Sequence, residues 1–237
     1  MMNRPAILFD LDDTLLDFAW AERKSLRSCL RGFGLTPTEE MLSRYSEINR
    51  RQWELLEEGK QTREETLTRR FSLLFAEYGL RIDGAEACAR YENGLAESGH
   101  RFMSGAEALL DTLHGRYALY IVSNGLTRVQ NARLASAGIA PLFEGIFLSE
   151  ELGVNKPSPA FFERSVDLIP GFDRRRAILV GDSLSSDIRG ARDAGILSCW
   201  YNARARSPRA EIVPDYTITG LDELPPLLER LWPASRC

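Results

Sequence analysis

The sequence holds only four cysteines, Cys29, Cys88, Cys199 and Cys237, and no two stand at C-x-x-C spacing. That pattern argues against a disulfide framework or a cysteine zinc site, and the four read as free thiols of a reducing compartment. Long apolar runs are missing too. None approaches the ~18 residues of a membrane-spanning helix. The first apolar run is cut by Asp10, which argues against a secretory signal, so the expectation is a cytoplasmic protein with no membrane partner. The net charge is only −4, which provides no electrostatic footprint for nucleic acid or an anionic surface. There are no internal repeats and no low-complexity segments. The remainder is ordinary: 237 residues, 44% apolar and 27% charged. Such a chain can bury a core as one large domain or two small ones.

The informative stretch is Ala6 to Leu15, Ala-Ile-Leu-Phe-Asp-Leu-Asp-Asp-Thr-Leu. Ile7, Leu8 and Phe9 have the length and residue types of a buried parallel strand. That strand runs into Asp10, Asp12 and Asp13, with Thr14 behind them. Three carboxylates at the end of a buried strand repel one another and are costly to bury unpaired, a cost that a nearby cation removes. Asp10 and Asp12 share parity along the strand and can face one bound group. In such a pair one acid can be a nucleophile and the other a proton carrier. Alone, the motif is also what an acidic turn closing a strand looks like.

From about residue 17 to 100 the periodicity becomes helical: Leu26, Leu30 and Phe33; Met41, Tyr45 and Ile48; Leu67, Phe71, Leu74 and Tyr78. Thr36-Pro37-Thr38-Glu39 reads as a capping box with proline at the first helical position, and Thr62-Arg63-Glu64-Glu65 as another. Gly34, Gly59 and Gly79 fall where helices should stop. Beyond residue 101, strands and helices alternate. Strands are expected at 117–122, 145–148, 177–180, 196–200 and 216–218, with helices at 104–114, 126–137, 159–168, 185–194 and 221–231. Alternation of this kind implies a parallel sheet with helices on both faces. The expected division is a catalytic core of residues 1–16 and 101–237, and a helical cap of residues 17–100. The cap grows from the loop after the first strand and is expected to close over the end carrying Asp10, hinging near Leu16–Asp17 and His100–Met103.

Three more strand ends carry chemistry. The second runs into Ser123-Asn124-Gly125 and then a helix, where a hydroxyl and free N–H groups can either cap the helix or hold an anion. Lys156 lies in the loop before the helix at Pro159; alone it is a surface charge, but beside the same sheet edge it could balance carboxylates and a phosphate. The fourth strand ends in Gly181-Asp182-Ser183-Leu184-Ser185-Ser186-Asp187. Gly181 allows close backbone approach, and Asp182 can complete a hard-cation site with Asp10, for which oxygen ligands point to Mg²⁺. Asp187 could hold Lys156 or a metal-bound water.

The ordered set Asp10-Leu11-Asp12-Asp13-Thr14, Ser123-Asn124-Gly125, Lys156-Pro157 and Gly181-Asp182 with Asp187 resembles the haloacid dehalogenase-like hydrolase superfamily. The resemblance covers nearly the whole chain. It implies a Rossmann-like, doubly wound α/β core with an inserted helical cap of that family's first type. It implies that Asp10 attacks a substrate phosphorus to form an aspartyl-phosphate. Asp12 would protonate the leaving oxygen and later take a proton from water. Asp10, Asp182 and the backbone carbonyl of Asp12 would hold Mg²⁺, and Ser123, the Asn124 amide and Lys156 would bind the phosphoryl group. Thr14 and Asp187 would support them. Dehalogenase members lack an acid at the position of Asp12, so its presence favours phosphate ester hydrolysis.

Val122 to Gly125, Ser149 to Pro157, and Ser198 to Asn202 are similar to bacterial noncanonical pyrimidine 5′-nucleotidases. That implies hydrolysis of a small-molecule substrate, deoxyuridine, thymidine and related monophosphates; from the charge no nucleic acid polymer is expected as partner, and the sequence leaves monomer or homodimer open. A phosphatase for a sugar phosphate or phosphoglycolate, and a non-catalytic binding protein on the same fold, are the competing readings. Phe18, Trp20 and Trp53 could stack on a base but are read as cap core. Arg204, Arg206 and Arg209 are read as a solvated loop rather than a second phosphate site or a contact with a neighbouring subunit, and His100 and His114 as helix-boundary residues.

Overall fold

A computed structural model describes residues 4–233; Cys237 lies outside the described residues. The chain divides into two compact units. One comprises the residues up to Asp17, 101–127 and those from Gly138 onward; the other is Phe18–His100 together with Arg128–Ala137.

The first unit is built on six parallel strands: β1 (Ala6–Phe9), β2 (Ala118–Ser123), β3 (Gly145–Leu148), β4 (Ala177–Gly181), β5 (Leu197–Tyr201) and β6 (Tyr216–Ile218), in spatial order β3-β2-β1-β4-β5-β6. This is the α/β doubly wound sheet expected from the alternation of elements. β1 is central, and β1, β2 and β4 are buried along their whole length, which is why their sequences are continuous apolar runs. Ala6 and Leu8, Ala118, Tyr120 and Val122, and Ala177 and Leu179 point to one face and pack with Phe161, Phe162 and Val166. Ile7, Phe9, Leu119, Ile121, Ile178 and Val180 alternate with them and are equally buried. The strand order reverses on either side of β1, whose two neighbours are β2 and β4. The carboxyl ends at such a switch point are where ligands bind in open α/β sheets. The chain after β1 makes a tight turn in which Leu15 and Leu16 both donate to the Leu11 carbonyl and Asp13 takes a left-handed backbone, φ 58°. Leu15 and Asp17 then pair with Met103 and Arg101 through backbone hydrogen bonds of 2.9 and 2.8 Å.

The helices of this unit are α5 (Ala106–Leu113), α7 (Ser149–Leu152), α8 (Pro159–Asp167), α9 (Arg189–Asp193) and α10 (Leu224–Leu231). Two differ from the periodicity reading. The helix expected at 185–194 begins as a wider π-type turn, Leu184–Ile188, before α9. The one at 221–231 starts as a 3₁₀ turn. The single turn α7 was not expected, four residues being too few to show a period.

The second unit contains α1 (Phe18–Gly32), α2 (Glu39–Glu57), α3 (Arg63–Glu77) and α4 (Gly84–Glu97). The helix after β2, α6 (Thr127–Ala137), groups with them from Arg128 onward. Thr62 caps α3 in a reciprocal box with Glu65. At α2 the cap is Thr38, whose hydroxyl accepts from the Met41 N–H, so Thr36 and Pro37 stand outside the helix. The box pattern fits Thr36 with Glu39 and not Thr38, whose third residue on is Met41; Thr38 nevertheless caps the helix, with Glu39 and Glu40 in the first turn, where negative charge is favourable. Gly34, Gly59 and Gly79 end their helices in the left-handed conformation. Tyr45, Phe71, Phe75 and Tyr91 form an aromatic core. Beside it the buried Glu22 carboxylate accepts from Asn49 and Ser46, and Arg70 donates to Asn49. Among the described residues no helix is long and apolar enough to cross a membrane.

Candidate active site

Asp10 is the first residue past β1. Its N–H donates to the Val180 carbonyl at 2.9 Å, which continues the β1–β4 ladder by one bond and holds the residue against the sheet edge. The residue is 7% exposed. Lys156, 1% exposed, donates from Nζ to Asp10 Oδ1 at 2.7 Å, to Asp187 Oδ1 at 2.7 Å and to the Val122 carbonyl at 2.8 Å. All three ammonium protons are therefore used within the chain. The two flanking acids raise the lysine pKa above its ordinary value, although burial alone would lower it. For Asp10, burial raises the pKa well above the ordinary carboxylate range against the opposing pull of Lys156.

Lys156 is placed by Asn124. The Asn124 side chain donates to the Lys156 carbonyl at 3.0 Å and accepts from its N–H at 2.8 Å. Thus the Asn124 side chain grips the lysine's backbone. Ser123 is buried at the end of β2, with its hydroxyl accepting from the Gly125 N–H. The amino end of α6, for which the sequence left capping and anion binding open, has a resident anion: Glu150 accepts from the Thr127 N–H at 2.7 Å. Thr14 is fully buried and its hydroxyl lies 3.4 Å from Asp10 Oδ2.

Asp187 sits on the π-type turn after β4. Its second oxygen accepts from the Ser183 N–H at 3.0 Å, while Ser183 Oγ accepts from Ser186 N–H. The turn brings Asp187 back over Gly181, where a Cβ would overlap the Asp187 carboxyl group. Glycine is required there by close approach, as its position beside Asp182 suggested. Gly181→Ala should push Asp187 off Lys156. The expected result is a melting temperature several degrees lower and reduced turnover; an unchanged melting curve would contradict the assignment.

Asp10, Asp182 and Asp187 bring carboxylate oxygens within 4.8 Å of one another. Hard oxygen donors in this number suit Mg²⁺ or a similar cation. Asp187 accepts on both oxygens, from Lys156 and Ser183, and Asp10 likewise from Lys156 and Thr14, whereas Asp182 is met by Arg206 on Oδ2. Of the cluster acids, Asp10 and Asp187 meet Lys156 and Asp182 meets Arg206, three acids against two cations. Burial raises Asp182 to about 7, with Asp13 and Asp187 adding to the shift and Arg206 opposing it. A carboxyl whose folded pKa lies above its unfolded value near 4 costs stability progressively as pH rises from about 4 to about 7, and the loss persists above that. A divalent cation bound to the ionised form reverses that loss. Mg²⁺ should therefore raise the melting temperature more at pH 8 than at pH 5.5. Equal shifts at the two pH values would mean that these acids are not its ligands.

The loop of residues 203–211 is exposed, as read, but Arg204 and Arg206 each have an ion-pair partner. Arg204 pairs with Asp13 Oδ1 at 2.9 Å, and Arg206 pairs with Asp182. No local signal in the sequence marks these partners, because the loop after β5 meets the ends of β1 and β4 only through the sheet order. Arg209 lies in the same loop and pairs with Ile212 in an isolated bridge. In the helical unit, Phe18 and Trp20 are half-buried rather than core. Phe18 lies under the Arg133 guanidinium at 5.6 Å and Trp20 under the Lys24 ammonium at 5.0 Å. Trp53 is half-buried as well. His100 and His114 stand exposed at helix boundaries.

A parallel sheet whose central strands end in a lysine-bridged acidic cluster, able to hold a hard cation, defines a Rossmann-like α/β enzyme with its chemistry at the sheet edge. The chain belongs to the haloacid dehalogenase-like hydrolases, the family whose model matches residues 5–195. It is 40% identical to YfnB of Bacillus subtilis (strain 168) over 94% of this chain and 95% of that one. A crystal structure of YfnB bound to magnesium superposes with a TM-score of 0.91, covering 95% of this chain and 99% of that one. The pyrimidine 5′-nucleotidase PynA of Streptococcus pneumoniae is 37% identical over 94% of both chains. The pyrimidine 5′-nucleotidase YjjG of Escherichia coli is 32% identical over 94% of this chain and 96% of that one. Phosphomonoester hydrolysis is the activity that the family and these relatives support for this chain.

Proposed function

We propose that the protein is a Mg²⁺-dependent phosphomonoesterase that acts on pyrimidine nucleoside 5′-monophosphates through a phosphoaspartate on Asp10. The observation that carries the chemistry is the buried Asp10 carboxylate, held by Lys156 at the carboxyl end of the central strand. Asp10 is the nucleophile: a carboxylate oxygen bonds to phosphorus as the ester P–O bond breaks. Asp12 gives its proton to the leaving alkoxide. It then takes one from the water whose attack on phosphorus releases Asp10 and inorganic phosphate. Asp10, Asp182 and the Asp12 carbonyl would hold Mg²⁺, which when bound supplies positive charge for the phosphoryl oxygens. Lys156 adds a second fixed charge, and Ser123 and the Asn124 amide add donors. Asp187 and Thr14 keep Lys156 and Asp10 in position.

The substrate class rests on PynA and YjjG and on the nucleotidase-like strings at Ser149–Pro157 and Ser198–Asn202. The test is phosphate release, with and without Mg²⁺, over a panel of nucleoside monophosphates, sugar phosphates and phosphoglycolate. The expected result is Mg²⁺-dependent release with preference for pyrimidine deoxynucleotides. Preference for another ester would discard the nucleotide assignment and keep the mechanism. No release from any ester would discard both.

A further inference from the structure

Arg206 is half-exposed, yet the loop that carries it is built to aim it. The Asn202 side chain accepts from the Arg206 N–H at 2.8 Å and donates to its carbonyl at 2.9 Å. Ala205, just before it, takes a left-handed backbone, φ 48°, that non-glycine residues seldom adopt. The guanidinium reaches Asp182 on β4's end, while Arg204, two residues earlier, reaches Asp13. Asp182 does not need Arg206 to fix its main chain: the nearly buried Trp200 donates from Nε1 to the Asp182 carbonyl at 2.9 Å. What Arg206 adds is a positive charge on a carboxylate that the acidic cluster shares with Asp10 and Asp187. A guanidinium and a divalent cation on one carboxylate repel each other and share its single negative charge.

We propose that Arg206 competes with the metal for Asp182 and so sets the metal affinity of the site, with Asn202 as the residue that positions it. This rests on the metal site of the preceding section. Arg204 has no such role, since Asp13 is outside the cluster. The consequence is an enzyme whose metal binds more weakly than its acids alone would dictate and can exchange.

The test is binding of Mn²⁺ to full-length, EDTA-stripped protein, followed by the paramagnetic resonance signal of the free ion and displaced by Mg²⁺. Arg206→Gln should bind Mn²⁺ about tenfold more tightly at low ionic strength, because a unit charge is removed within a few ångströms of a divalent ion. The gain should shrink in high salt. Arg204→Gln should change affinity by no more than about twofold, the distant-charge share of the same Coulomb effect. Unchanged or weaker binding by Arg206→Gln would overturn the proposal, the weaker case making Arg206 a support for the metal. Equal tightening by both variants would also overturn it, since the effect would then be one of bulk charge. Asp182→Asn separates the two levels. If it binds Mn²⁺ as well as the unaltered protein, the metal site itself is misassigned. If it binds less well and Arg206→Gln does not tighten, only the competition fails.

Discussion

Asp10→Asn should abolish phosphate release, lowering kcat by about 10⁴-fold or more, the scale seen when a covalent nucleophile is removed. The amide is nearly isosteric and lacks the charge that makes Asp10 costly to bury, so the fold should survive and the melting temperature should stay within a few degrees. Loss of activity in a folded protein is therefore the reading to seek, by kcat together with a thermal melt. Turnover persisting in Asp10→Asn would sink the phosphoaspartate mechanism. Asp12→Asn offers a chemical control. Its role is to protonate a poor leaving group, so the loss should be much larger on an alkyl ester such as dUMP than on p-nitrophenyl phosphate, whose leaving group needs no proton. Equal losses on the two esters would show that Asp12 does not act as the acid.

The second large effect concerns Lys156. Its ammonium is the shared partner of Asp10, Asp187 and the Val122 carbonyl, all at 2.7–2.8 Å and away from water. Lys156→Met removes that partner and leaves two buried carboxyls facing each other. Breaking a buried ion pair from one side costs about 3–5 kcal/mol, so the melting temperature should drop by roughly ten degrees, at a few degrees per kcal/mol for a chain of this size. The pH dependence has a definite sign. With the lysine gone, Asp10 loses the charge that opposes its burial, so its pKa moves still higher and it takes up a proton as pH falls. The gap between variant and parent should be widest at alkaline pH and close towards pH 5. On the parent's side, the raised lysine pKa keeps its contribution fully present below the unfolded lysine value of about 10.4. Mg²⁺ should stabilise Lys156→Met more than the parent, because the acids lack their resident cation. A gap that is flat from pH 5 to 9 would mean that Lys156 contributes packing rather than charge.

The clustering of Asp10, Lys156 and Asp187 explains why so much of this site can be read in one dimension. Each group stands at the end of an apolar run or at the start of a helix, and those signals are local. Ile7-Leu8-Phe9 before Asp10 and Ile178-Leu179-Val180 before Gly181-Asp182 announce buried parallel strands. Strands of that kind align their carboxyl ends whenever crossovers are helical. The order of elements therefore implies one chemical edge. Helix caps are local too, although Thr36 and Thr38 show the limit: the box pattern points to Thr36, and the cap is Thr38, two residues on.

What the sequence by itself determined, then, was the alternation of elements, the helical insertion after the first strand, the acidic and basic groups at the strand ends, and from these the family. Tertiary structure alone decided who partners whom. That Lys156 uses all three protons internally, that Asn124 grips the lysine's backbone, and that Glu150 fills the amino end of α6 depend on distances between segments 20 to 150 residues apart. Arg206 is the sharpest case. Its sequence neighbourhood is that of a polar surface loop, and only the order β1-β4-β5 brings that loop beside Asp182. Periodicity reports which way a side chain faces along its own element; it carries no information about which strand lies next to which. That depends on the packing of the whole sheet.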